Sequence, residues 1–294
     1  MSLSLWFDGR LVPQDQLAAP LTTHAMHYGT AVFEGIRSYA TPDGAAVFRL
    51  REHLERMRRG ADALGIAFDA NEAAAATVAV LRANHHRDAY VRPLLWYGTG
   101  SLGLDVGPLS RHLMVASVPW APHLGEKPVR LTVSPMRRNR AAALPPLKLA
   151  GSYVNSILAK REAAGRGFDD ALFVDDDGLV VECTGVNVFM VKDGAVVAVA
   201  HPDALPGITR DTLVELTGAT ARAVPLDELK EADEVFLAGT SAEVLPVAAL
   251  DERRFGDAPV ATEIRARYLS IVRSGSPAHE HWLTRVPGAQ AHAA

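Results

Sequence analysis

Cysteine is almost absent: Cys183 is the only one, so no disulfide can form within the chain, and a reducing compartment is expected. The opening Met-Ser-Leu-Ser-Leu-Trp-Phe-Asp-Gly has neither a basic stretch nor a long apolar core, and no apolar run approaches the eighteen or so residues of a membrane span. A soluble cytoplasmic protein with no membrane partner is expected. Charge of one sign is also lacking. The net charge is −4 with both signs interspersed, which leaves no electrostatic footprint for nucleic acid or an anionic surface. Repeats and low-complexity tracts are missing too. The expected partner is a small molecule or a second copy of the chain.

Lysine is the next scarcity, with five against twenty-five arginines. Lys127, Lys160, Lys192 and Lys230 stand in polar loops, turns or charged helical runs. Lys148 alone has apolar neighbours on both sides, in Leu-Pro-Pro-Leu-Lys-Leu-Ala-Gly-Ser-Tyr153. Drawn into an apolar site, an amine is disfavoured as its charged form and becomes available as a nucleophile toward an aldehyde. The same pattern also suits a lysine that lays its stem on apolar surface and keeps its ammonium in water.

At 294 residues the chain is long enough for two domains. The cluster Pro119, Pro122, Gly125 and Pro128 reads as a linker over 121–129, between a smaller domain over 1–120 and a larger one over 130–294. In the first, Asp8-Gly9 turns a hairpin, Leu50, Leu54, Met57, Ala61 and Leu64 mark a helix stopped by Gly65, and residues 71–84 give a second helix. In the second, four short strands over 171–199 read as a meander, a helix starts near Gly207, and the residues after a helix over 260–273 read as a frayed polar tail.

Gly98-Thr-Gly-Ser-Leu-Gly103 matches a dinucleotide fingerprint, but Gly107-Pro108 prevents the helix that must begin inside it and the acidic residue some twenty positions on is lacking. The histidine pairs 24 and 27, 85 and 86, and 279 and 281 have no companion ligands at metal spacing, so no metal site is expected. No G-x-S-x-G elbow argues for a serine hydrolase.

Three features support Lys148. Glu182 closes a strand before Cys183-Thr184-Gly185, where the backbone is small enough for a flat ligand, and a carboxylate beside a pyridine nitrogen makes pyridoxal phosphate an electron sink. Gly207-Ile208-Thr209 opens a helix with free N–H groups and a hydroxyl, which suits a phosphate. Arg49, ending a strand, could add a bidentate contact to it. Singly, these residues read more readily as a hairpin-edge carboxylate, a helix cap and a solvated arginine. Together they supply an amine, an anion for a ring nitrogen and a phosphate cradle.

The residues carrying this chemistry resemble those of class IV, fold-type IV pyridoxal phosphate enzymes, and within them branched-chain amino-acid aminotransferases. The matching segments are His27–Arg37, Val47–His53, Ala89–Pro93, Lys148–Asn155, Glu182–Phe189, Leu205–Asp211 and Ala232–Phe236 with Gly239-Thr240, in the family's order. The resemblance implies an α+β fold of two domains, with a smaller N-terminal α/β domain and a larger C-terminal domain of mostly antiparallel sheet. It also implies a homodimer with its site between the domains. Lys148 would hold the cofactor covalently and shuttle the proton. Tyr153 would bond the ring's phenolic oxygen, Glu182 with Asn187 beside it would meet the pyridine nitrogen, and Gly185 and Leu205 would flank the ring. Arg49, Ile208, Thr209 and Thr240 would hold the phosphate. Phe33, Tyr90 and Trp120 would line the substrate pocket, with Thr240 and Ser241 at its edge, Tyr28 entering from a neighbouring subunit, and Arg92 meeting the distal carboxylate of glutamate or 2-oxoglutarate.

Two positions depart from the common branched-chain pattern: His123, where many members carry tyrosine, roofs the implied substrate pocket, and Val186 replaces a glutamate near the cofactor wall. The implied activity is transfer of an amino group from a branched-chain L-amino acid to 2-oxoglutarate. The same fold also serves D-amino acids, amines and an aminodeoxychorismate-type lyase, and a non-catalytic metabolite-binding protein could keep it. Intact Lys148, Tyr153 and Glu182 argue for chemistry.

Overall fold

The computed structural model describes residues 2–120 and 127–288. The chain divides into two compact units. The first holds the residues up to Trp120, Leu147–Gly151 and those from Ser270 onward; the second holds, of the described residues, 127–146 and Ser152–Leu269. The sequence division put the lysine run and the C-terminal residues in the second domain, whereas contacts group both with the first.

In the first unit the strands are Ser4–Phe7 (β1), Arg10–Pro13 (β2), Ala31–Phe33 (β3), Ile36–Thr41 (β4), Gly44–Phe48 (β5), Ala89–Tyr97 (β6) and Arg111–Pro119 (β7). The β1–β2 turn works because Asp8 and Gly9 both adopt positive φ, 44° and 93°, matching the twist of a two-residue hairpin. Leu283–Pro287 adds to β5, and the described sheet runs from it through β5, β4, β6, β7 and β1 to β2, all antiparallel, with β3 beside β6. Alternation along β6 points Val91 and Leu95 into the core and leaves Tyr90 and Arg92 together on the other face.

Three helices complete this unit's N-terminal part: His24–Tyr28 (α1), Leu50–Leu64 (α2) and Ala70–Ala83 (α3). Leu50, Leu54, Met57 and Ala61 are buried along α2, and Gly65 ends it at φ 71°. Asp69 caps α3 by accepting from the N–H groups of Asn71 and Glu72, at 2.8 and 3.3 Å.

The C-terminal stretch is not a frayed tail as far as it is described. Trp282 is 2 % exposed and stands edge-on to Phe48, and the strand after it pairs with β5 from Leu283↔Phe48 to Pro287↔Gly44. One large aromatic burying its surface outweighs the polar composition around it.

The second unit's strands are Val129–Val133 (β8), Asp170–Val174 (β9), Val180–Cys183 (β10), Asn187–Lys192 (β11), Ala195–Val199 (β12), Thr220–Arg222 (β13), Glu234–Gly239 (β14), Glu243–Leu250 (β15) and Arg253–Arg254 (β16). Their order is β10-β9-β8-β15-β14-β11-β12-β13, with β16 on β15; β8 runs parallel to β9 and β15, β12 parallel to β13, and the other pairs are antiparallel. The expected meander is therefore broken: β11 takes β14 and β12 as neighbours, and β10 pairs with β9 alone. Thr184-Gly185 interrupts the run, so the chain leaves β10 at one end of the sheet order and enters β11 deep within it.

Helix Tyr153–Gly165 (α4) lays Ala159 and Ala163 against Ala171, Phe173 and Val181 on one side of β9 and β10. A larger cluster of Leu131, Leu172, Val188, Met190, Leu237 and Leu245 fills the other side of the sheet. Burial on both faces explains why β9 and β11 read as continuous apolar runs. Helix Ile208–Thr217 (α5) follows β12.

Candidate active site

Lys148 belongs to the first unit and is half-buried. Its segment is fixed through the backbone: Leu149 bridges Val32 of β3, and the Phe33 N–H donates to the Lys148 carbonyl at 3.2 Å. Its Nζ stands 5.1 Å from the centre of the Phe33 ring, and the Arg92 guanidinium stands 4.9 Å from the same centre. An amine and a guanidinium thus share one aromatic ring. Arg92 donates from Nη2 to the Tyr90 hydroxyl at 3.0 Å, while its buried Nε has no hydrogen-bond partner among the described residues. Tyr90 reaches this position only because residue 35 is glycine; a Cβ there would lie 1.9 Å from the phenolic oxygen.

Arg49 sits between β5 and α2 with φ 49° and ψ 38°, a left-handed conformation that is costly for a side chain of this size. Its backbone N–H donates to the Trp282 carbonyl at 2.7 Å, its guanidinium lies over the Trp282 ring, and its Nε is 3.1 Å from Glu52. Trp120 stacks on the Arg37 guanidinium at 4.0 Å, and its backbone N–H donates to the Asp88 carbonyl. Tyr28 is 47 % exposed and donates to the Leu102 carbonyl at 2.9 Å. His123 lies outside the described residues.

In the second unit Glu182 is 4 % exposed. Its Oε1 accepts from Arg138 Nε at 2.8 Å, and its Oε2 accepts from the Leu205 N–H at 3.1 Å and from Asn187 Nδ2 at 3.4 Å. Asn187 also donates to the Leu205 carbonyl at 3.1 Å, which ties β10, β11 and the loop ahead of α5 to one carboxylate. The lone pairs of an ionised carboxylate serve several donors at once, which suits this convergence. Gly185 is exposed, and a Cβ there would meet nothing within 4 Å.

Helix α5 starts from Gly207 with no side-chain cap, so the first N–H groups at Ile208 and Thr209 stand ready for an anion. Thr240 and Ser241 form the turn from β14 to β15, both half-buried, and Tyr153 begins α4. Val186 is buried beside Gly239, where a Cβ would come within 2.7 Å of its Cγ1. Among the described residues no group of three or more His, Cys, Asp and Glu side chains is placed to hold a metal ion.

The first unit thus gathers Phe33, Tyr90, Arg92 and Lys148, and the second gathers Glu182, Asn187 and Leu205. Sequence reasoning missed Arg138, although Arg137-Arg138-Asn139 precedes the lysine run. It also missed a buried cluster in the first unit. Glu34 is 0 % exposed and accepts from Arg56 Nε at 2.7 Å, Arg56 Nη2 at 2.8 Å and His53 Nδ1 at 2.8 Å. Burial alone would raise the Glu34 carboxyl, but Arg56 and His53 outweigh it and hold the group well below the usual carboxylate range. Burial keeps the His53 pKa below its ordinary value despite Glu34. The glutamate and histidine both stand in segments carrying the resemblance, and the three-residue spacing of His53 and Arg56 on α2 was the available signal.

The model of the amino-transferase class IV family matches residues 31–250. The chain belongs to that family. This class IV aminotransferase is 35 % identical over 297 residues to the branched-chain-amino-acid aminotransferase of Pseudomonas aeruginosa, covering 96 % of this chain and 97 % of that protein. It is 34 % identical over 301 residues to the enzyme of the same name from Escherichia coli K12, with the same coverages. Among solved structures, the T.th. branched-chain amino acid aminotransferase complexed with N-(5'-phosphopyridoxyl)-L-glutamate is 41 % identical, with TM-score 0.92 over 97 % of this chain and 99 % of that one. The Thermoproteus uzoniensis branched-chain aminotransferase with norvaline is 34 % identical, with TM-score 0.93 over 97 % and 100 %.

Proposed function

We propose that the protein is a pyridoxal phosphate-dependent aminotransferase that moves the amino group of a branched-chain L-amino acid to 2-oxoglutarate. The observation that carries this reading is the Phe33 ring with Lys148 on one approach and Arg92 on another. It joins a reacting amine, an apolar surface for a branched side chain and a cation for a distal carboxylate.

The residues present fit the cofactor. A flat ring with a protonated nitrogen suits the buried Glu182 carboxylate, whose charge Arg138 supports. A phosphate suits the uncapped start of α5 and the cation of Arg49, with Thr209 and Thr240 as hydroxyl donors. Tyr153 is assigned to the ring oxygen, and Gly185 and Leu205 to its faces; the open space at Gly185 supports that. When bound, pyridoxal phosphate supplies the electron sink that lets a proton leave the α-carbon. Lys148 would supply the amine that holds the cofactor's aldehyde; once substrate takes its place, Nζ would accept the proton from the α-carbon and pass it to the cofactor's C4′, and would carry it the opposite way in the reverse half-reaction. Phe33, Tyr90 and Trp120 exclude water from the apolar side chain, and Arg92 receives the second substrate's distal carboxylate.

A homodimer is part of the reading. Leu21, Met26, Leu102 and Leu104 are 80, 60, 59 and 80 % exposed around Tyr28, an apolar surface suited to a second copy. A cytoplasmic location is supported by the lone cysteine; among the described residues no helix is long and apolar enough to cross a membrane.

The test is the visible absorbance of the purified protein and of Lys148→Ala. Leucine should bleach the wild-type band and 2-oxoglutarate should restore it. Bleaching by a D-amino acid or an amine alone would overturn the substrate, and absence of any band after adding cofactor would overturn the activity.

A further inference from the structure

We propose that Trp282 is a positioning residue for Arg49, so that the C-terminal segment over 277–287 serves phosphate binding as well as closing the sheet. The inference rests on the reading that Arg49 holds the cofactor's phosphate.

Arg49 stands where β5 gives way to α2, in a conformation it would not choose alone. Its φ of 49° and ψ of 38° lie in the left-handed region, which a residue with a Cβ keeps only where its surroundings hold it there. Two backbone bonds do so. Its N–H donates to the Trp282 carbonyl at 2.7 Å, and its carbonyl accepts from the His53 N–H of α2 at 3.0 Å. Strand register delivers the first of these: Leu283 pairs with Phe48, so Trp282 and Arg49 come next to one another at the ends of antiparallel neighbours.

The same residue also meets the far end of the arginine. The guanidinium carbon lies 5.1 Å from the centre of the Trp282 ring, within the range of a cation–π contact, and Nε is 3.1 Å from Glu52. Trp282 therefore holds Arg49 twice, by a carbonyl on its backbone and by a ring on its charge. The ring is itself fixed. It is 2 % exposed, meets Phe48 edge-on at 6.1 Å and 89°, and has the His279 ring at 4.4 Å and the His281 ring at 5.6 Å. That packing gives the histidine pair at 279 and 281 a role other than metal binding. A ring face attracts a cation without taking up an N–H donor, and a guanidinium already parked on it has less rotamer freedom to lose when an anion binds.

The experiment compares pyridoxal 5′-phosphate with pyridoxal as ligands of the full chain stripped of cofactor, with dissociation constants read by absorbance. The two ligands differ only in the phosphate, so the ratio of their constants separates phosphate binding from ring and lysine contacts. Arg49→Met should weaken pyridoxal phosphate by about 10–100-fold, as for a lost bond to a charged group, and pyridoxal hardly at all. Trp282→Phe keeps an electron-rich face and should stay within about threefold of wild type; pentafluorophenylalanine at 282, nearly the same shape with that face reversed in sign, should weaken pyridoxal phosphate alone by about tenfold. Trp282→Met, which has no ring, should act like the fluorinated residue. A purely structural role for Trp282 would weaken both ligands together or neither, and either result overturns the proposal. If circular dichroism shows that Trp282→Met does not fold, the two phenylalanine rings decide, and equal ratios for them overturn it. An unchanged ratio in Arg49→Met would refute the phosphate reading of Arg49 and this inference with it. A ratio changed in Arg49→Met but not by the substitutions at 282 would overturn the inference alone.

Discussion

Replacing Gly207 by alanine should cost far more than its ordinary backbone suggests. With φ −81° and ψ 126° the residue occupies a conformation that alanine adopts freely, and loss of glycine's chain entropy would by itself stabilise by about 0.4–1 kcal/mol. The obstacle is Asn187: a Cβ at 207 would lie 1.8 Å from its Oδ1 and 3.0 Å from its Cγ. Asn187 is 6 % exposed and must turn away, giving up its bonds to the Leu205 carbonyl and to Glu182. Two bonds at about 1 kcal/mol each and about 1–3 kcal/mol of overpacking, less the entropy gain, leave a net loss of about 2–5 kcal/mol. The assay is urea unfolding of Gly207→Ala, Asn187→Ala and the double variant. Once the amide is gone only the Arg210 Cβ, 3.2 Å away, stays close to the new Cβ, so the double variant should be little less stable than Asn187→Ala, a coupling of about 2 kcal/mol or more in a mutant cycle. Additive losses, or a Gly207→Ala variant within about 0.5 kcal/mol of wild type, would refute the reasoning.

Three further outcomes follow from the same geometry. His53 has a folded pKa below its ordinary 6.5, so the unfolded chain binds a proton that the folded one refuses; stability should be full above pH 6.5 and fall as pH drops below it, with Glu34 adding a second loss below its ordinary 4.5. Unfolding titrations of His53→Asn should show a flatter slope between those values, and an unchanged slope would count against a buried neutral histidine. Cys183 is fully buried, and burial, then the Asp170 and Glu182 charges, pushes its thiol well up, so a thiol reagent should modify the native protein only as fast as it unfolds; rapid native labelling would contradict this. Arg92→Ala should lose the 2-oxoglutarate half-reaction by about 10–100-fold, as expected for a lost bond to a charged group, with a much smaller loss for leucine; equal losses in single turnovers would remove Arg92 from that role.

Local features were legible because each has a short-range cause. Asp8-Gly9 dictates its hairpin turn, the spacing of Leu50, Leu54, Met57 and Ala61 dictates α2, and Lys148 stood out as the one lysine in apolar company. What escaped was long-range. Nothing within residues 179–199 says that β11 will pair with β14, since that choice depends on a strand more than forty positions later. The return of Leu283–Pro287 to β5 hinges on the burial of Trp282, which a polar neighbourhood conceals. The buried charges were hidden for the same reason. A carboxylate such as Glu34 or Glu182 reads as exposed until its guanidinium is found, and Arg56 and Arg138 stand twenty-two and forty-four positions away from them.

That separation has a physical consequence. A lone carboxylate in either place would be too costly to bury, so each must meet its arginine as the unit folds. Pairing of this kind fixes register: Arg56 can reach Glu34 only if α2 lies in one rotation against β3, the rotation that also brings Gly60 to Leu149. Glu34 and Arg56, which a sequence reader passes over as surface charge, are therefore among the residues that hold the Lys148 segment in place, and removing either partner should destabilise the unit because it leaves an uncompensated buried charge.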